Sequence, residues 1–434
     1  MKALINKLNV DRLWRDVVVL SLLTMVVLAA FWTLLPNRWQ ENQNFDFTCC
    51  YEPVARNFLA GKGFLQDNGR FGSGYPPGFS LLLVGVFTAG EWIGEAEAMR
   101  LYIGIFVLAT VLALYALGRA VGGFWLGRVA GVIVLGYPFF LWLAKQPNSE
   151  TPFIPFLVLM FYSYVRLVHA DALSNSMWRW AAACGFFAAL ASLVRPIAIF
   201  SGLFLALCAL FMLRERVSWM KRCALVAVVA GVNLMTVLPW ELKVRSEIGR
   251  WVLLSTNGGV GFLEGVTFGL GSKDLKPVAV SADVLELMRR GELNREQVQS
   301  VGGLFGFLAG EAKDHPAGFA KFMWIKITRV WYATHEGYQE MRTMLVQGLF
   351  TLMALFGIWT LRKQDPATAI GLVVFTLYFW GMASLVLPLL RYMVPVTVVL
   401  MVPIGVTLLV AVRRLGWLDG AEVPLRARAA RLGK

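Results

Sequence analysis

Ten apolar windows recur along the chain, at roughly 16–35, 99–118, 124–143, 150–168, 180–194, 197–213, 223–240, 344–361, 367–388 and 392–412. Polar and basic residues fall in short clusters between them, so each window reads as a helix crossing a hydrocarbon core about 30 Å thick. From Trp180 to Leu213 a single helix would measure about 51 Å at 1.5 Å per residue, too long for one crossing. It must turn back, and Arg195-Pro196 is the place: proline removes a backbone donor, and arginine within hydrocarbon costs roughly 2.5–3.5 kcal/mol. Interrupted helices of this kind often line a binding cavity.

One further apolar stretch, 76–93, meets the lower length limit for a span but opens with Pro76-Pro77-Gly78 and carries Glu91. Charge decides how it is read. If it does not cross, Arg119/Arg128, Arg166/Arg179, Arg214/Arg216/Lys221/Arg222, Arg362/Lys363 and the tail from Arg413 to Lys434 share the side of Lys2, Lys7, Arg12 and Arg15. Every short charged loop then obeys the positive-inside rule, with both termini cytoplasmic. We therefore expect 76–93 to lie in or dip into the outer interface. The fold class expected is all-α and polytopic, with about ten transmembrane helices (range 10–12) and external interfacial helices. The first window follows basic residues as a signal peptide would, but no small-residue cleavage site follows it. Trp32 and Trp39 read as an interfacial belt, so the window is a retained anchor.

Composition agrees: 434 residues are 58% hydrophobic and 16% charged, against roughly 25% charged in globular proteins. An ordinary soluble enzyme is excluded. The net charge of +14 punctuates apolar segments and forms no basic face or stripe, so no nucleic-acid partner is expected. Cys184, Cys208 and Cys223 lie in apolar runs as small hydrophobes, and Cys49 and Cys50 read as packed thiols because a bridge between neighbours is awkward. His169, His315 and His335 have no metal-ligand spacing around them, so no metal site is expected.

The charged residues near the outer membrane surface are Asp46, Glu52, Arg56, Lys62, Lys145, Glu150, Arg195, Glu241, Lys243, Arg245 and Arg391. Carboxylates beside cations there suit a substrate with an anionic head and an apolar tail. Asp46 precedes a helix expected over 51–60, with Tyr51, Ala55 and Phe58 on one side, Glu52 and Arg56 paired at i, i+4, and Gly61 at its end. Plainer roles exist for each residue. Asp46 also fits an N-cap, Ser149-Glu150 a helix cap, Lys145 a snorkelling lysine and Arg391-Tyr392 an interfacial anchor. The loop Ser255–Gly259 could cradle a phosphate, though such turns are common. Residues 281–300 and 311–335 read as helices, the latter with Phe319, Phe322, Met323, Trp324 and Trp331 able to lie on lipid or cover a groove.

These segments together resemble a family. Asp46 with Tyr51, Ala55-Arg56-Asn57 and Gly61-Lys62-Gly63-Phe64, Tyr75-Pro76-Pro77-Gly78, Ser149-Glu150, Val194-Arg195-Pro196, Pro239-Trp240, Ser255 to Gly259 and Arg391-Tyr392 carry the likeness. In order and placement they resemble the membrane glycosyltransferases of the GT-C superfamily, in the protein O-mannosyltransferase and lipid A aminoarabinose transferase branch (family 39-like). Two departures stand out: Asp46 lies five residues before the tyrosine, farther than expected, and Glu241 follows Pro-Trp where a basic or neutral residue is usual.

The resemblance implies transfer of a sugar from a polyprenyl-phosphate donor to an acceptor lipid, glycan or protein at the outer face, in a bacterial inner membrane. It implies Asp46 as catalytic base and Glu150 as the second acidic position. Lys62, Lys145, Arg195 and Arg391 are the candidates for the donor phosphate, and Tyr51, Arg56, Tyr75, Arg245 and Tyr392 for the substrate cavity. No cofactor is implied, and a divalent metal is not required. The additional C-terminal soluble domain of oligosaccharyltransferase relatives is lacking, hence the expectation of a single sugar. The expected organisation is a transmembrane core at 1–240 with the catalytic external loop 36–98, an external region at 241–343, and C-terminal helices with a basic tail at 344–434. A transporter or flippase of a lipid-linked or anionic solute is the alternative. It predicts charges within the bilayer and paired repeats, and 241–434 does not repeat 76–240.

Overall fold

A computed structural model of the protein describes residues 2–36, 45–267, 280–334 and 339–415. Trp39, His335 and the basic tail beyond Leu415 lie outside these residues. The helices are α1 (Lys2–Leu34), α2 (Glu52–Leu59), α3 (Pro77–Ile93), α4 (Glu95–Ile133), α5 (Pro138–Leu143), α6 (Glu150–Val168), α7 (Ser176–Val194), α8 (Ser201–Met212), α9 (Trp219–Ile248), α10 (Gly258–Thr267), α11 (Ala282–Leu293), α12 (Arg295–Val298), α13 (Val301–Asp314), α14 (Pro316–Arg329), α15 (Glu340–Arg362), α16 (Pro366–Leu385), α17 (Val394–Val399) and α18 (Met401–Arg414). An isolated antiparallel bridge between Leu65 and Phe71 is the extent of β pairing among the described residues.

All ten apolar windows are mostly helical, with 124–143 interrupted at Tyr137 and 392–412 at Leu400, and among the described residues seven helices are long and apolar enough to cross a membrane. The 42-residue stretch Glu95–Gly136 is folded back on itself, because Gly122 and Gly123 leave helical geometry, Gly123 with φ +82°. Its two arms touch backbone to backbone. A Cβ on Gly118 would stand 2.8 Å from the Leu126 carbonyl, and one on Gly127 2.7 Å from that of Tyr115. The break expected at Arg195-Pro196 is there: Arg195 is extended, a single 3-10 turn follows at Pro196–Ala198, and α8 returns along α7, with Gly202 against Ala188. α9 runs past 240 to Ile248, so the boundary drawn at that residue falls inside a helix.

The bundle has two distinct ends. At one, buried Asp16 on α1 accepts from Tyr115 at 3.0 Å and pairs with Arg128 at 2.8 Å, while Arg12 and Arg119 both lie over the Phe124 ring. Arg216 donates to the carbonyls of Val168 and Ala170, and His169 meets Asp365 at 3.1 Å at the same end. α1 runs antiparallel to the first arm of α4, bringing Leu28 to Gly104 and the Trp32 Nε1 to the Ala144 carbonyl at 3.2 Å. The far end thus gathers Trp32, Ala144, the start of α6 and the end of α7. Apolar side chains left exposed on α1 (Leu22, Met25, Val26) and α15 (Leu345, Leu349, Leu352) suit lipid.

Short α2 and the turn before it pack along α3. The Tyr51 carbonyl accepts from Ser80 at 3.2 Å, and the Arg56 guanidinium lies 4.1 Å from the Phe87 ring centroid and pairs with Glu95 at 2.9 Å. A further element, α10 to α14, has its own small core around Leu263, Val284, Leu287, Leu304 and Phe322. The helix read over 281–300 breaks at Asn294, and 301–310 is helical as well.

Candidate functional site

Asp46 stands at the start of a π-helical turn, Phe47–Tyr51, that leads into α2, and its side chain does not cap that turn. It receives the Tyr75 hydroxyl at 3.1 Å and lies 3.7 Å from the Arg391 guanidinium. Burial, and after it the Asp46 charge, raises the Tyr75 pKa, so this hydroxyl is a neutral donor. Tyr51 packs against Tyr75 with the rings tilted and their centroids 4.7 Å apart, and meets Phe79 edge-on at 4.8 Å, fixing the turn against α3.

Cys49 and Cys50, expected as packed thiols, are instead bridged to one another, with Cα atoms 3.7 Å apart. They lie in the π-helical turn that Asp46 precedes, where the local winding turns the two side chains toward each other.

Tyr75 is held from the other side by the loop Ser255–Gly259. The Ser255 hydroxyl donates to the Gly74 carbonyl at 2.6 Å and the Thr256 N–H to that of Ser73 at 2.9 Å, so this loop docks on the Tyr75 segment. Leu254, which has a left-handed backbone at φ +63°, anchors it: Trp240 Nε1 donates to its carbonyl at 3.0 Å, and its own N–H donates to Glu241 at 2.7 Å. The acidic residue after Pro239-Trp240 thus has a structural task.

The second acidic position is an ion pair. Glu150, 3% exposed, meets the Arg195 guanidinium at 2.6 Å, and Arg195 also donates to the Ser149 hydroxyl at 2.9 Å. The cap expected of Ser149-Glu150 is supplied by Asn148, whose side-chain oxygen takes the Thr151 N–H at 2.9 Å. Tyr392 joins the two pairs: Arg195 lies over its ring at 5.3 Å, and Arg391 donates to its hydroxyl at 3.1 Å. Burial works against the Arg391 charge, but Tyr392, Glu150 and Asp46 raise its pKa above the ordinary value. Its buried Nε has no hydrogen-bond partner among the described residues.

The structure therefore brings together Asp46, Tyr51, Tyr75, Glu150, Arg195, Arg391 and Tyr392. Lys145 lies in the 144–149 loop before α6, 4.0 Å from the Trp142 ring centroid, and burial lowers its pKa. Arg56 is committed to Glu52 and Glu95, Arg245 lies over Trp251 at 4.6 Å, and Lys62 is exposed on the turn after α2. Sequence reading missed Glu264 on α10. Desolvation and the charge of Asp46 raise its pKa while Arg391 opposes them, so its charge is coupled to both groups. Only the seating of α10 reveals it, since α10 is otherwise an apolar, glycine-rich stretch. No cluster of three or more His, Cys, Asp or Glu able to hold a metal ion occurs among the described residues.

Residues 76–240 match the family model of dolichyl-phosphate-mannose-protein mannosyltransferases, a span that contains Glu150, Arg195 and Trp240. No curated protein matches the chain. Among solved structures, ArnT from Cupriavidus metallidurans bound to undecaprenyl phosphate superposes with a TM-score of 0.56 at 16% identity, over 90% of this chain and 60% of that one. Its apo form gives 0.52 at 17% identity, over 90% and 59%. The apo oligosaccharyltransferase of Archaeoglobus fulgidus gives 0.57 at 12% identity, over 96% and 54%. The chain thus spans 54–60% of the length of these proteins, and at such identities the likeness is one of fold. The chain has the GT-C fold, and over residues 76–240 it resembles the dolichyl-phosphate-mannose-protein mannosyltransferases, as its motifs implied.

Proposed function

We propose that the protein is a membrane glycosyltransferase that moves a single sugar from a polyprenyl-phosphate donor to an acceptor hydroxyl on a lipid, glycan or protein. One observation carries the reading: Asp46 is held between the Tyr75 hydroxyl and the Arg391 guanidinium at the end of an apolar bundle. Undecaprenyl phosphate bound to ArnT supports the donor class.

The chemistry follows from where charge develops. As the acceptor oxygen bonds to the anomeric carbon, its proton passes to Asp46, and the bond to the phosphate oxygen breaks with its electron pair going to the polyprenyl phosphate. Configuration inverts. A carboxylate in that role is worth about 10²–10⁴-fold, and fixed cations facing the leaving phosphate stabilise the charge it gains. Arg391, with its inward Nε, and Arg195 supply that field. Glu150 orients Arg195. Arginine carries the charge compensation in this reading, which therefore calls for no metal.

The site lies on the extracytoplasmic side of a bacterial inner membrane. Two features support this: Arg12, Arg119, Arg128 and Arg216 collect at the opposite end, and the Cys49–Cys50 bridge beside Asp46 belongs to an oxidising compartment. The test incubates purified protein and Asp46→Asn with a panel of polyprenyl-phosphate sugars and a membrane extract, and follows donor consumption by mass spectrometry. Consumption that requires Asp46 upholds the reading. Consumption unaffected by Asp46→Asn removes the base, and donor binding without turnover across the panel favours transport.

A further inference from the structure

One buried cation has no part in that chemistry. Lys326 on α14 is 2% exposed, and its ammonium donates to the carbonyls of Gly265 on α10 and of Val386 just beyond α16, the latter at 2.9 Å. Its surroundings are apolar: Val266, Leu304, Phe322 and Leu385. Burial pushes its pKa down to about 7. For packing alone, an apolar side chain of the same length would serve better.

The two carbonyls it holds belong to the elements that frame the candidate site. Gly265 has no room for a side chain, because a Cβ there would collide with the Leu385 carbonyl, so the α10 backbone lies directly on the end of α16. Beyond Val386 the chain runs to the turn Leu390–Tyr392, where the Leu390 N–H donates to the Ala333 carbonyl at 2.9 Å. The Trp380 Nε1 donates to the Ile327 carbonyl on α14 at 2.9 Å. The segment that carries Arg391 is therefore pinned to α14 and its continuation at both ends, by Lys326 at Val386 and by Ala333 at Leu390. On α10, Gly265 is the neighbour of Glu264, whose charge is coupled to those of Asp46 and Arg391.

We propose that Lys326 is a positioning residue for polyprenyl-phosphate binding: by joining α10 to the segment 386–391 it sets Arg391 at its place beside Asp46. This inference deepens the glycosyltransferase reading and rests on it. A side chain that keeps N–H donors should preserve the junction, and one that only fills the space should not.

The experiment uses the full chain in lipid nanodiscs, with undecaprenyl phosphate as the probe and binding followed by tryptophan fluorescence. Lys326→Met should weaken binding about tenfold, the loss expected for one net hydrogen-bond contribution, while the melting temperature holds or rises. Lys326→Gln, which retains two donors, should keep most of the affinity. Gly265→Ala attacks the same junction from α10 and should weaken binding independently, which covers the case of an unfolded Lys326→Met. Wild-type affinity in a folded Lys326→Met or Gly265→Ala, or equal losses in Lys326→Met and Lys326→Gln, overturns the proposal. Absence of binding by the wild type overturns the donor reading itself, and the proposal with it. The two failures differ, because in the first Arg391→Ala still separates from wild type.

Discussion

The Arg195 guanidinium meets the Glu150 carboxylate at 2.6 Å, with Glu150 almost wholly withdrawn from solvent. Two charges so placed depend on each other. Removing one member leaves the other buried and uncompensated, which costs about 3–5 kcal/mol, whereas an apolar pair in their place is often neutral. Glu150→Ala should therefore lower the melting temperature sharply, and Glu150→Met combined with Arg195→Met should recover much of it. An unchanged melting temperature in Glu150→Ala would show that the pair does not hold the junction of α6 and α7.

Asp46 is different, since Tyr75 and Arg391 contact it from the side and it remains partly open. Asp46→Asn should fold normally and lose about 10²–10⁴-fold in turnover. Tyr75→Phe removes a positioning hydrogen bond but leaves the carboxylate, so its loss should be smaller, about tenfold. Turnover at the wild-type level in Asp46→Asn would sink the assignment, whatever Tyr75→Phe does.

Arg391 combines a contact to Asp46 with a buried donor that has no hydrogen-bond partner among the described residues. Loss of a charge-assisted hydrogen bond is worth about 1.5–3 kcal/mol, so Arg391→Ala should weaken undecaprenyl phosphate binding by about 10–100-fold. In the proposed chemistry arginine carries the charge compensation, and activity should then survive a chelator. Activity lost in chelator and restored by manganese would replace this account with a metal-assisted one.

What the sequence made legible was local. The helical character of the apolar windows, the break at Arg195-Pro196 and the Glu52–Arg56 pair depend on residues close together in the chain, and each is in the structure. The site was legible as far as its members stood at span ends, which is why Asp46, Glu150, Arg195 and Arg391 converge. Long-range pairing was not. Arg56 finds Glu95 thirty-nine positions away, and α10 settles on the end of α16 because Gly265 has no side chain. The Cys49–Cys50 bridge depended on a π-helical winding that no periodicity announces.

Lys326 gives a test in which the sign of the pH dependence is fixed. Burial lowers its pKa to about 7, against about 10.4 in an unfolded chain. Between those values the unfolded state binds more protons than the folded one, so stability must rise with pH, by at most about 1.4 kcal/mol per unit from this group. Below about pH 7 the buried charge exacts its full cost, and above about pH 10 it exacts none. Other titrating groups are common to wild type and Lys326→Met, so the difference between their melting temperatures isolates the lysine. That difference should shift in favour of the wild type as pH is raised from 6 to 9, with Lys326→Met equal or superior at the acid end. A difference that is flat across the range would mean that Lys326 keeps an ordinary pKa, as it would if water reached its ammonium.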